Sequence, residues 1–201
     1  ALDWAYEKAI HGIPGDLSSE SLAKSYMKKF SSTDEAIDSL IKWQMAKSST
    51  SGFVTGLGGI ITLPVAIPVN IASVLYVQMR MIAAIAHMRG YDLKDDQVQT
   101  FVFICLTGQA ASDILKQSGI TVGTKLTVQL IKKVPGATLT KINQKVAFRL
   151  VTKFGEKGVI NLGKLVPIVG GVIGASVDGV GTKIIGNQAK KLFVEFDSPV
   201  I

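Results

Sequence analysis

A chain of 201 residues with 47% apolar and 18% charged side chains is long enough to bury a core and too apolar for wholesale disorder, and its mean hydropathy of +0.35 agrees. One cysteine, Cys105, excludes an internal disulfide framework and a multi-cysteine zinc site, and two histidines, His11 and His87, leave little for a His-based metal centre. The net charge of +7 is unevenly carried: residues 114–164 hold ten Lys/Arg against a single acid, Glu156, while the rest of the chain is nearly balanced. Such a block either is a solvated outer face or meets an anionic partner, meaning phospholipid headgroups, nucleic acid or an acidic protein.

The first helix is expected over Ala1–Ile10, ended by His11-Gly12-Ile13-Pro14-Gly15-Asp16. A polar helix follows from Ser18 to Phe30. Ser32 then caps a third helix, with Glu35 completing a capping box and Ile37, Leu40, Ile41 and Met45 on one face. Ser48 to Met79 carries no formal charge, a run longer than the roughly 20 residues that cross a bilayer. Gly52, Gly56, Gly58, Gly59, Pro64 and Pro68 interrupt it. They predict a glycine-rich helix over Thr50–Ile61, a break, and a long helix from Pro68 to Met88 that Gly90 terminates. Arg80, His87 and Arg89 put positive charge towards its C-terminus, where the helix dipole favours it. Asp95–Gln117 reads as one long helix, with Val98, Val102, Leu106, Ala110 and Ile114 every four residues and Gly119 as its stop. Helices over Thr121–Val134 and Thr138–Phe154 flank Pro135-Gly136, and a last one runs from Pro167 to Phe193. Period-2 alternation is scarce, so the expected fold is all-α: a single domain over 1–201, a compact bundle of about seven to eight helices with glycine-rich helices at its centre.

Three features carry physical content. Gly52, Gly56 and Gly59 share a helix face, as do Gly170 and Gly174, and small residues at this spacing let two helices pack closely. Tight packing in a bundle and a helix pair able to enter a membrane both fit. Lys141, Lys145, Arg149 and Lys153 form a cationic ridge beside the apolar ridge Ile142, Val146, Leu150 and Phe154, and Lys125, Lys132 and Lys133 repeat the theme upstream. This composition suits an interfacial helix on anionic lipid, with Phe148 and Phe154 able to insert, and equally suits a surface helix packed on the bundle. Two aromatics and no helix-turn-helix pattern make nucleic acid the weaker partner. Third, Asn70, Gln78, Arg80, His87, Gln109, Asp113 and Asp178 are lone polar residues in apolar context. A buried Asp178 needs a partner, which Arg80 or Lys183 could supply. No His-Glu-x-x-His, Gly-x-Ser-x-Gly, Walker A, EF-hand or dinucleotide pattern is present. No catalytic residue, metal or cofactor is assigned.

Trp43, then Gly52-x-x-x-Gly56-x-Gly58-Gly59, a proline-rich break, Arg80 to Asp92, and Val166-Pro167 to Gly174 with Asp178 four residues on together resemble the EcsC protein family over roughly residues 40–195. Asn70 departs from the Asp often found there. The resemblance implies an all-helical bacterial domain, named from an operon that also encodes an ABC transporter, with no defined activity. The leading expectation is a non-enzymatic protein that sits peripherally on an anionic membrane or binds a lipid-like ligand. Docking on a membrane transporter is the alternative, and an enzyme with a site near Asp178, Asn70, Arg80 and His87 a further one. A pore-forming insertion of the uncharged run is the least favoured. No secretory signal opens the chain, and with a lone reduced cysteine the expected location is the cytoplasm or the inner membrane face.

Overall fold

The computed structural model of the protein describes residues 2–48, 69–121, 128–154 and 170–194, with side chains over 2–48, 74–121, 128–152 and 179–194. Nine α-helices run through them: α1 Leu2–His11, α2 Ser19–Met27, α3 Thr33–Ser48, α4 Val69–Met88, α5 Asp96–Leu106, α6 Ala111–Gln117, α7 Val128–Lys132, α8 Gly136–Phe154 and α9 Gly170–Leu192. A lone bridge between Ile13 and Asp16 is the one extended pairing among the described residues, so the class is all-α. Gly52, Gly56, Gly59 and Lys125 lie outside the described residues, as do the side chains of Asn70, Lys153, Phe154 and Asp178. Gly170 and Gly174 fall in the opening turns of α9, and their surroundings lie outside what is described.

The helix ends follow from local chemistry. Ser18 caps α2, its hydroxyl accepting from the Ser21 N–H at 3.1 Å. Ser32 caps α3 by accepting from the Glu35 N–H at 3.2 Å. Gly90 (φ 87°) and Gly119 (φ 83°) close α4 and α6 in the left-handed conformation. At each, the next residue's N–H reaches back five positions, Tyr91 to Ala86 at 3.1 Å and Ile120 to Leu115 at 3.0 Å.

The stretch Asp95–Gln117 is not one helix. It breaks at Thr107, turns through Gly108–Ala110 and resumes as α6. Gly108 sits at φ +61°, and a Cβ there would lie 3.5 Å from Cγ2 of Ile184 on α9. The chain bends at the one residue that tolerates this backbone, and does so where it meets α9.

α4 is the axis of the bundle. Every residue from Leu75 to Ala86 is buried, as befits a helix that is apolar all round, and α1, α2, α3, α5 and α9 pack on it. α3 lies antiparallel to α4 and α9: Asp34 near its start pairs with Arg89 past the end of α4 and with Lys190 near the end of α9. Two turns on, Gly186 of α9 meets Ile41 of α3 so closely that an added Cβ would stand 2.8 Å from Ile41 Cγ1. α8 joins through Leu139, Ile142, Val146 and Leu150, all buried, with α5 and α6 as its neighbours. No described helix is long and apolar enough to cross a membrane.

Candidate functional site

A helix advances about 100° per residue, so the buried stripe of α8, Leu139 to Leu150, occupies one arc of its circumference. Phe148 points almost directly away from that arc, and Lys141, seven residues earlier, lies within about 20° of it. The core has no use for this face. Phe148 is 72% exposed and Val151 67% exposed, and Lys141 on the same face is exposed as well. The ridge of cations does not stay on one line, because each four-residue step drifts about 40°. Lys141 therefore faces outward, Lys145 is half-buried and donates to Oε1 of Gln117 at 2.7 Å, and Arg149 is carried round to the edge next to α9. Upstream, Lys132 is neutralised by Asp95, 3.3 Å away, while Lys133 is exposed. Lys133, Lys141 and Arg149 make no ion pair among the described residues.

Where Arg149 arrives, a groove of about 440 Å³ opens between α8, the Gly108–Ala110 turn and α9. Gly108, Ala110, Gly181, Ile184 and Ile185 supply most of its lining, with Arg149, Thr152, Thr107 and Gln109 as polar members. Val180 and Ile184, one turn apart on α9, stay 58% and 36% exposed.

The lone polar residues are not gathered in one cleft. Arg80 is not a dipole partner at a helix end; it is fully buried in mid-helix. Its guanidinium forms an ion pair with Asp16, donates to the Leu17 carbonyl at 3.1 Å and lies 5.5 Å from the centre of the Tyr76 ring. Asp16 reaches it because Gly12 (φ 84°) and Gly15 (φ 83°) fold the α1–α2 connection into a tight turn. Even so, Nε and Nη2 of Arg80, Oδ2 of Asp16 and the Tyr76 hydroxyl are buried without a hydrogen bond. His87, two turns further along α4, lines a different groove of about 360 Å³ with His11, Glu20, Tyr91 and Lys94. Gln78 is buried and donates to the Thr182 hydroxyl at 3.3 Å; Gln109, Asp113 and Lys183 are exposed. Cys105 is core, and burial pushes its thiol up. Among the described residues no group of three His, Cys, Asp or Glu side chains is placed to hold a metal.

Sequence reasoning missed the partner of Arg80. The available signal was the pair of glycines just before Asp16, which marks a turn able to aim a carboxylate inward. It also missed the clamp of Asp34 and Asp38 against Arg89 and Lys190.

A family model described as the EcsC protein family matches residues 3–194. The chain belongs to the EcsC protein family. The match takes in α1 and α2 as well as the glycine-rich centre, so the Asp16–Arg80 contact and the groove beside α8 both lie within the EcsC region. No curated protein and no solved structure gave a significant match.

Proposed function

We propose that this EcsC-family protein docks on anionic membrane surfaces through the outward face of α8. The observation that carries the reading is the exposure of Phe148 and Val151 on the face of α8 that also carries Lys141, which makes no ion pair among the described residues, on a helix whose opposite side already serves the core. An apolar residue that size gains about 2 kcal/mol by leaving water, and each Lys or Arg at an anionic surface adds about 1 kcal/mol. The surplus of positive charge within residues 114–164 favours the same surface. The role is one of attachment, with no reaction assigned.

Co-sedimentation with vesicles tests it. Vesicles containing anionic phospholipid retain the protein and neutral ones do not, and retention falls as salt screens the surface. Phe148→Ser and Lys141→Glu each weaken retention about tenfold or more, and together they abolish it. Equal binding to neutral and anionic vesicles, or none, overturns the reading. Capture by a purified membrane protein that depends on Lys141 without any lipid requirement overturns it in favour of a protein partner.

A further inference from the structure

Among the described residues the groove beside α8 has an apolar floor on its α9 side and one cation, Arg149, on its lip. Gly108 leaves Ile184 uncovered on one side, and on α9 a Cβ added to Gly181 would meet nothing within 4 Å. Ile184 and Ile185 form the floor, and Val180 extends the apolar strip by a turn. The polar groups gather along the α8 and turn side. The Arg149 guanidinium has no carboxylate among the described residues, and the Thr152 hydroxyl already donates to the Arg149 carbonyl at 2.9 Å, leaving its oxygen free to accept. Water is a poor filling over an apolar floor, and a guanidinium with no carboxylate among the described residues is matched best by a carboxylate or phosphate taken bidentately.

Those requirements narrow the occupant. The two long walls are α-helices whose backbone groups are already used, so an extended peptide would gain no main-chain ladder along α8 or α9. Among the described residues no aromatic ring lines the groove to stack a base. A volume of about 440 Å³ lies within the range of small-molecule sites. A slender apolar tail with a negative head satisfies the floor and the lip together.

We propose that the groove between α8 and α9 holds one single-chain anionic amphiphile, a lysophospholipid, with its phosphate on Arg149 and its acyl chain along Ile184 and Ile185. The inference rests on the membrane reading above and deepens it: the outward face of α8 rests on the bilayer, and the edge of the same helix takes up an individual lipid molecule.

The test is calorimetric titration of the full chain with lysophosphatidate kept below its micelle concentration. The wild type binds it with one-to-one stoichiometry. Arg149→Gln weakens binding about tenfold, and lysophosphatidylcholine, whose head is neutral overall, binds more weakly by a similar factor. Gly181→Phe fills the trough from α9 and abolishes binding. Thr152→Trp blocks it from α8 with the same result, a second route should the first variant fold poorly. Gly181→Phe leaves vesicle retention at the wild-type level, because it lies on α9 and Phe148 and Lys141 on the outward face of α8 are intact. No wild-type binding, wild-type affinity in both blocked variants, or equal affinity for inorganic phosphate alone overturns the groove. Vesicle retention lost in the wild type while lysophosphatidate still binds overturns the outer-face reading and leaves the groove standing.

Discussion

Arg80 carries a charge into the middle of the helix that is farthest from water, and one carboxylate answers it. A buried ion pair is weak evidence for stability, because desolvating two ions offsets most of their attraction, yet removing one partner strands the other. Asp16→Ala is therefore expected to destabilise the fold by about 3 kcal/mol, while Arg80→Met costs less because it removes the charge that needs compensation. The double variant falls short of the sum of the two. Urea midpoints of the three variants check this, and strict additivity would show that the pair does not interact. Asp34 answers to a different balance. Burial pushes its carboxyl up, but the hydrogen bonds and charges of Arg89 and Lys190 outweigh it and hold the group below the usual carboxylate range. A carboxylate with a depressed pKa in the fold stabilises above its unfolded value, about 3.9, and loses that contribution as the pH falls through the folded value. Asp34→Asn should then flatten the acid side of the stability profile below about pH 4 and lower stability at neutral pH. An unchanged acid limb would remove Asp34 from the account. The sequence marked Arg80 as out of place in an apolar helix. It offered Asp178 as a partner because polar residues invite pairing by type, and a turn far away in the chain leaves no periodic trace.

At the level of elements Gly181 and Gly186 of α9 are of two kinds that spacing alone does not separate. Gly186 is pressed against Ile41, a β-branched side chain with little freedom to yield, whereas Gly181 faces open space. Gly186→Ala should cost about 1–3 kcal/mol by forcing α3 and α9 apart, and Ile41→Ala should relieve part of that loss in the double variant. Gly181→Ala should gain up to about 1 kcal/mol, since Ala is the better helix former and nothing obstructs it. Thermal unfolding of the single variants reads the opposite signs, and the same sign for both would refute the close α3–α9 crossing. The sequence made most helices legible through their ends: Ser32, Gly90 and Gly119 act as the capping and stop residues their chemistry predicts. It failed at Gly108, because the four-residue recurrence from Val98 to Ile114 runs straight through the bend. The interruption is set by a contact with α9 more than seventy positions away, and periodicity within a segment carries no record of such a neighbour.

For the molecule as a whole, the uneven charge along the chain proved a better guide to composition than to surface. Of the cations marked from sequence whose side chains are described, Lys132 is answered by Asp95 and Lys145 is turned toward Gln117, so the free positive face is smaller than the count implies. The helical drift that moves Arg149 to the groove was calculable; the position of α9 beside it was not. The four tyrosines give the fold a common alkaline limit. Burial pushes Tyr76 and Tyr91 up to about 12, with Arg80 pulling against it at Tyr76 and Arg89 pulling against it at Tyr91. Burial also raises Tyr6, helped by Glu7, Asp92 and Asp95, and raises the half-exposed Tyr26 to a lesser extent against the charge of Arg80. A phenol held neutral in the fold stabilises fully below its unfolded value, about 10, and that contribution drains away as the unfolded chain ionises between pH 10 and the folded values. Tyr76 and Tyr91 are anchored on different neighbours, the first against Arg80 and the second edge-on to Phe193 at 5.0 Å, so both ends of the α4 core are held by the same condition. In an alkaline titration little tyrosinate absorbance is expected near pH 10 while the helices persist, followed by a steep rise that coincides with loss of helical dichroism before pH 12. A smooth titration centred on 10 with the helices intact would mean that these rings are open to water and that the core around α4 is not closed.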